Sequence, residues 1–385
     1  MTSVVVVGGG IAGASAAWAL AAGGADVALV EQELQPGHHA TGRSAAVTNE
    51  TVGHPVVGAL ARAGRPFLED PPPGFVDHPL LAPRGLLWVA EDPAALDALA
   101  SAGSVAAGPG PAPARRVGPD EVRRLVPELR PEWAAAGGVH EPDARSIDVA
   151  ALLQGYLRGL RRRGGRVRTG CRVTGLARDA TGWTLTVAVA AGGDGDGRAD
   201  GPAERLRCDV VVDAAGAWGD VVAAQAGVRP VGLAPLRRTA CIVAVPAGHD
   251  VARWPLVMDA GGTFYAEPEP GGLLLSPADE TPTDPGDARP DELDVALALD
   301  RLRAATTLPV RSVRRAWAGL RTFAPDRVPV AGFAPDAPGF YWLVGQGGGG
   351  IKTAPALAAL AAADILGAPL DLDLPDGAVA ALRPR

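Results

Sequence analysis

The stretch SVVVVGGGIAGASAAWALAAGGADVALVE, residues 3–31, decides the fold. A β-branched run leads into glycines, an alanine-rich segment of helical length follows, and a second apolar run ends on an acid, which predicts one β-α-β unit. Gly8, Gly10 and Gly13 form G-x-G-x-x-G between strand and helix, and Glu31 closes the second strand. Each has a physical task. Gly8 permits the tight turn, Gly10 lets a pyrophosphate approach the backbone, Gly13 packs helix on strand, and Glu31 accepts ribose hydroxyls. The helix N-terminus adds a positive pole for the diphosphate. A dinucleotide, FAD or NAD, is therefore the expected ligand.

At 385 residues the chain exceeds the size at which one core usually keeps growing, so two domains are expected. A formal net charge of -7 gives no basic surface for a phosphate backbone, and no nucleic-acid partner is expected. Cys171, Cys208 and Cys241 are widely spaced and lack the pairing of a zinc site or disulfide framework, so no metal is expected either. They read as buried small residues of a reducing compartment. Residue 3 opens directly into the first strand, with no basic region or cleavage site before it, and no run reaches the length of a membrane span. A cytoplasmic protein is the expectation.

Beyond the opening unit, residues 149–165 carry apolar side chains at helical spacing, and RVRTGCRVTGLARD (166–179) and WTLTVAVA (183–190) read as strands. AAGGDGDGRADGPAE (190–204) is polar enough to be a hairpin loop before the strand in CDVVVDAAGAWGD (208–220). From about residue 229 to 322 the runs CIVAVP, FYAEPE and GLLLSPA predict an antiparallel sheet layer with one helix near 290–305. The segment 339–367 is again strand, glycine loop, helix.

Two segments favour FAD over NAD. TGRSAA, residues 41–46, follows the second strand where Arg43 and Ser44 could hold the diphosphate from the other side, and VVVDAAGAWGD ends in a small-residue turn. With GGGIAGASAA, AGVRPVGLAPLRR, TFYAEP and WAGLRTFAPD also in place, the chain resembles the D-amino-acid oxidase superfamily of flavoenzymes, and most closely the FAD-dependent D-arginine dehydrogenases. That resemblance runs nearly end to end. It implies an α/β fold in which a Rossmann-like FAD-binding domain of the GR2 type (1–50, 145–230 and 322–385) interleaves with an α+β substrate domain on an antiparallel sheet (51–144 and 231–321). It further implies non-covalent FAD, held by Gly8, Gly10, Ile11, Ala12 and Gly13, by Glu31 and Gln32, and by Thr41, Arg43, Ser44 and Ala45. Val173, Ala215, Gly216 and Trp218 complete the adenine and diphosphate side, and Gly347, Gly348, Gly349, Gly350, Ile351, Lys352 and Thr353 the flavin side.

The same resemblance implies a substrate carboxylate clamped by Arg238 and Arg321, with the Tyr265 hydroxyl beside it; the planar guanidinium fork suits a carboxylate. Where D-arginine dehydrogenases place a histidine and a tyrosine, this chain has Val47 and Val52, and Leu86 stands where a glutamate would meet a substrate guanidinium. A pocket with Val47, Val52 and Leu86 predicts an apolar side chain, or a bulkier amine or imino acid. The implied reaction is oxidative deamination of a D-amino acid by hydride transfer to flavin N5, giving an imine that hydrolyses to a 2-oxo acid. The alternatives are an oxidase of glycine, sarcosine or another secondary amine, and a flavin-binding module without catalysis. The electron acceptor has no motif.

One residue stands apart by composition. Lys352, behind four glycines, is the only lysine among the 36 basic residues. A cation at a helix N-terminus is disfavoured by the macrodipole, so an anionic neighbour is expected to offset it. Sarcosine oxidases are similar in having a carboxylate-binding lysine after such a turn, which implies a third cation in the substrate site.

Overall fold

The computed structural model describes residues 1–50, 54–102, 114–189 and 203–385. Val52 and the loop predicted over 190–202 lie outside the described residues.

The opening β-α-β unit forms as its spacing predicts. Ser3–Val7 and Asp26–Val30 are neighbouring parallel strands, joined through the helix Ile11–Ala22. They sit at the centre of a six-stranded sheet in the order Val330–Phe333, Phe340–Val344, Val210–Asp213, Ser3–Val7, Asp26–Val30, Arg166–Arg168, parallel except for the first pair. Fully buried parallel strands need apolar residues on both faces, and Val4, Val5, Val6, Val27, Leu29, Val211 and Val212 are all 3% exposed or less. On one face the helices Ile11–Ala22, Val149–Arg162 and Gly350–Leu366 pack through Ala14, Ala17, Leu20, Leu160, Ala354 and Leu357. The small side chains let these helices lie close together. On the other face sits a three-stranded antiparallel sheet, Cys171–Asp179, Gly182–Val189 and Ala203–Cys208, joined to the parallel sheet by Trp183, Leu185 and Trp342. Cys171 and Cys208 belong to this smaller layer, where Cys171 pairs with Val189 and Cys208 with Trp183. All three cysteines are free and buried.

The second large layer is a nine-stranded, largely antiparallel sheet. Its long pair is Ala234–Val243 against Val313–Phe323, and Tyr265–Glu269 lies between Leu256–Asp259 and Gly272–Ser276. One parallel contact, Leu86–Val89 beside Leu256–Asp259, brings in the earlier part of the chain. The helix Glu292–Ala305 covers one face, with Ala298, Leu302 and Ala305 fully buried. The opposite face looks toward the glycine turns of the parallel sheet. That juxtaposition positions the site.

Candidate active site

The glycine turn after the first strand is built by contacts that exclude any side chain. Gly8 has φ +108°, and a Cβ there would lie 2.4 Å from the Ala214 carbonyl oxygen; at Gly13 it would lie 1.9 Å from the Gly8 carbonyl oxygen. Gly13 is thus a packing residue that lines no cavity. Gly10 differs, since a Cβ would meet only Thr41 Oγ1, at 3.3 Å. Gly10 leaves an open approach to the backbone at the helix start, next to Thr41 Oγ1, which accepts the Ile11 N–H at 3.0 Å. Glu31 accepts from Gly9 N–H at 2.6 Å and Glu33 N–H at 2.8 Å, while burial pushes its carboxyl pKa up.

From this turn a long cavity runs to the antiparallel sheet. Glu31, Gln32, Cys171 and Val173 line one end, Gly8, Gly10, Ile11, Ala12, Thr41, Ser44, Ala45, Ala215, Gly216 and Trp218 its middle, and Tyr265, Arg238, Arg321, Gly347, Gly348, Gly350 and Ile351 the other. The residues present fit FAD. An acid stands at the end of the second strand, a turn in which Gly8 and Gly13 tolerate no Cβ lies beside a helix N-terminus, and the cavity continues past both into the second sheet.

Arg43 also lines the cavity, but its guanidinium is engaged elsewhere. It donates to the carbonyls of Ala288 at 2.9 Å and Ala318 at 2.8 Å and pairs with Asp287, and Trp317 Nε1 donates back to the Arg43 carbonyl at 3.1 Å. These contacts tie the 41–43 turn to the antiparallel sheet. In the C-terminal turn, Gly347 donates to Thr322 O and Gly349 to Gln346 O, both at 2.9 Å, so these two amides hold the turn itself. Thr353 is fully buried, its hydroxyl bonded to Gly349 O at 2.9 Å within the helix.

The clamp residues converge. Arg321 pairs across the sheet with Leu236, and strand alternation puts Arg238, two residues on, on the same face. Both guanidinium carbons lie beside the Tyr265 ring, Arg238 at 6.0 Å and Arg321 at 5.9 Å from its centroid. Arg238 Nε donates to Asp279 O at 2.8 Å, and its Nη2 meets Glu280 Oε1 at 3.3 Å. Arg321 packs on Gly348, where a Cβ would lie 3.2 Å from its Nη1, and it makes no hydrogen bond among the described residues. Burial and the Arg321 charge push the Arg238 pKa down, the mark of cations crowded together without enough anions. An arriving carboxylate relieves that crowding.

A second chamber opens beyond Arg321 and Tyr265. Val47, Val57, Leu256, Met258 and Phe323 give it apolar walls, and Asn49, Glu267, Arg327 and Lys352 give it polar ones. Lys352 is 8% exposed, and its Nζ donates to the carbonyl of Asn49 at 2.6 Å and to Asn49 Oδ1 at 2.5 Å. Burial drives its pKa down to about 8, against the pull of Glu141 and Glu50. Lys352 therefore lines the second chamber, with the charges of Glu141 and Glu50 acting on it. Val47 reaches this chamber. Leu86 does not: it is fully buried in the apolar cluster behind Leu256, on the adjacent parallel strand, and lines neither cavity.

Residues 3–364 match the family model of FAD-dependent oxidoreductases named DAO. Among curated proteins, the uncharacterized oxidoreductase YurR of Bacillus subtilis is 24% identical over 99% of this chain and 100% of its own length. The crystal structure of glycine oxidase from Geobacillus kaustophilus superposes with a TM-score of 0.81 at 22% identity, covering 100% of this chain and 99% of that one. Iminodiacetate oxidase from Chelativorans sp. BNC1 gives a TM-score of 0.78 at 24% identity, covering 99% and 98%. These similarities identify the chain as a member of the DAO family of FAD-dependent oxidoreductases, an enzyme family of amine and amino-acid oxidation.

Proposed function

We propose that this protein oxidises the amine-bearing carbon of an α-amino acid whose carboxylate is bound by Arg238 and Arg321, with a D-amino acid as the first substrate class to test. The observation that carries this reading is the convergence of two half-buried arginine side chains on Tyr265 at the flavin end of the FAD cavity. When bound, FAD supplies the two-electron acceptor for carbon–nitrogen oxidation. The chain's own residues do the positioning. Arg321, without a hydrogen bond among the described residues, offers its planar fork to the carboxylate, and Tyr265 fixes the lateral position of that group. Holding the carboxylate fixes where the amine-bearing carbon lies, and such orientation accounts for much of the rate in reactions of this kind. The neighbouring charge of Lys352 deepens the positive field. Val47, Leu256, Met258 and Phe323 would enclose the substrate side chain and exclude water from it.

A second reading, oxidation of glycine, sarcosine or another secondary amine, is favoured by the names of the two structural neighbours, glycine oxidase and iminodiacetate oxidase. Turnover across D-, L- and N-methyl amino acids, D-arginine included, separates the two. Activity confined to glycine and N-alkyl members overturns the D-amino-acid assignment, whereas inactivity on every carboxylate-bearing amine overturns both.

A further inference from the structure

The second chamber holds a buried acid that the carboxylate clamp does not use. Glu267 follows Tyr265 by two residues on the strand Tyr265–Glu269, so the two side chains share one sheet face about 7 Å apart along the strand. Glu267 is 2% exposed and lines the chamber together with Arg321, Tyr265 and Lys352. Its protein partners all converge on one oxygen. Ser146 Oγ donates to Oε1 at 2.9 Å, and Arg84 Nε lies 3.2 Å from the same atom. Oε2 is buried with no hydrogen-bond partner among the described residues.

A buried carboxylate oxygen without a donor is costly, and no described polar group of the chamber, Arg321 included, makes a hydrogen bond to it. Lys352 is held by Asn49, Arg327 pairs with Glu280 at 2.7 Å, and Asp326 pairs with Arg385. Building on the carboxylate clamp proposed above, we infer that Glu267 Oε2 accepts a hydrogen bond from a donor at the far end of the substrate side chain. The substrate class is then an amino acid with an apolar stem and a terminal N–H or O–H donor. The stem lies along Val47, Leu256 and Met258, and the donor meets Glu267 one strand repeat beyond the clamp. This modifies the purely apolar preference read from Val47, Val52 and Leu86.

The test uses ligands that cannot be oxidised, on the FAD-loaded protein. Butanoate, pentanoate and hexanoate are compared with their ω-hydroxy and ω-amino counterparts by isothermal titration calorimetry. The inference predicts that at one chain length the ω-hydroxy or the ω-amino acid binds roughly ten- to a hundredfold tighter than the plain carboxylate. Whichever of the two gains more tells whether the donor is neutral or cationic. In Glu267→Gln, which keeps the shape and loses the charge, that ratio should fall toward one. Equal affinity of plain and donor-bearing acids at all lengths in the wild type overturns the inference while leaving the clamp standing. If no carboxylate binds, the clamp itself is wrong and the inference falls with it.

Discussion

Lys352 shows how one residue can be strained by its position and useful because of it. Its pKa of about 8, against an ordinary 10.5, means that folding favours the neutral amine. Between pH 10.5 and about 8 the unfolded chain holds a proton that the folded chain does not, so the residue's contribution to stability declines as pH falls through that window and levels off below it. Binding runs the other way. Below pH 8 the ammonium adds to the field of Arg238 and Arg321, and it is lost as pH rises. Carboxylate affinity should therefore weaken above about pH 8, and Lys352→Gln should flatten that limb and weaken binding at neutral pH by roughly tenfold. Calorimetric titration with a simple carboxylate across pH checks both effects, and an unchanged pH profile in the variant would separate Lys352 from the site. Composition alone marked this lysine, because one lysine among arginines is visible in any reading of the chain. Glu267 left a fainter mark. Only the period of a strand, two residues on from Tyr265, placed it on the same face, and its unpartnered oxygen exists only in three dimensions.

At the scale of elements, the glycine turn combines two demands that substitution can separate. Gly13→Ala drives a methyl group into the Gly8 carbonyl and should destabilise the protein by about 1–3 kcal/mol even without FAD. Gly10→Ala is far less crowded, with φ -72° and only Thr41 Oγ1 within reach at 3.3 Å, so the apoprotein should lose much less Tm than Gly13→Ala. Its flavin affinity should fall by at least roughly tenfold, because the methyl occupies the backbone approach. Thermal unfolding of apoprotein and flavin content of holoprotein measure the two separately. Equal losses in both variants would mean that the turn has no ligand-facing side. The first β-α-β unit was readable because strand, turn, helix and acid are local and periodic. The ties of Arg43 were not readable for the opposite reason: its partners Ala288 and Ala318 lie far along the chain, where spacing carries no information. Leu86 failed similarly, since the parallel pairing sets it beside Leu256 on the same sheet face and only Leu256 reaches the chamber.

For the molecule as a whole, the FAD cavity is where the parallel and antiparallel sheets meet, and Arg43 is one of the side chains that bind to the antiparallel sheet there. Arg43→Ala removes two carbonyl hydrogen bonds and an ion pair at that seam and should cost about 1–3 kcal/mol. Bound FAD should recover part of the loss, as any ligand specific to the folded state does. Comparing Tm with and without added FAD checks this, and a variant with the wild-type Tm would show that the seam is held by other contacts. Among the described residues no helix is long and apolar enough to cross a membrane. The central claim is that this flavin site oxidises an amine carried beside a carboxylate. Anaerobic titration of the bound flavin with amino acids, and with the amines left when their carboxylates are removed, tests it most directly. The account predicts that flavin absorbance bleaches with an amino acid and not with its decarboxylated amine. Equal bleaching by both, or none by any amino acid, would contradict it.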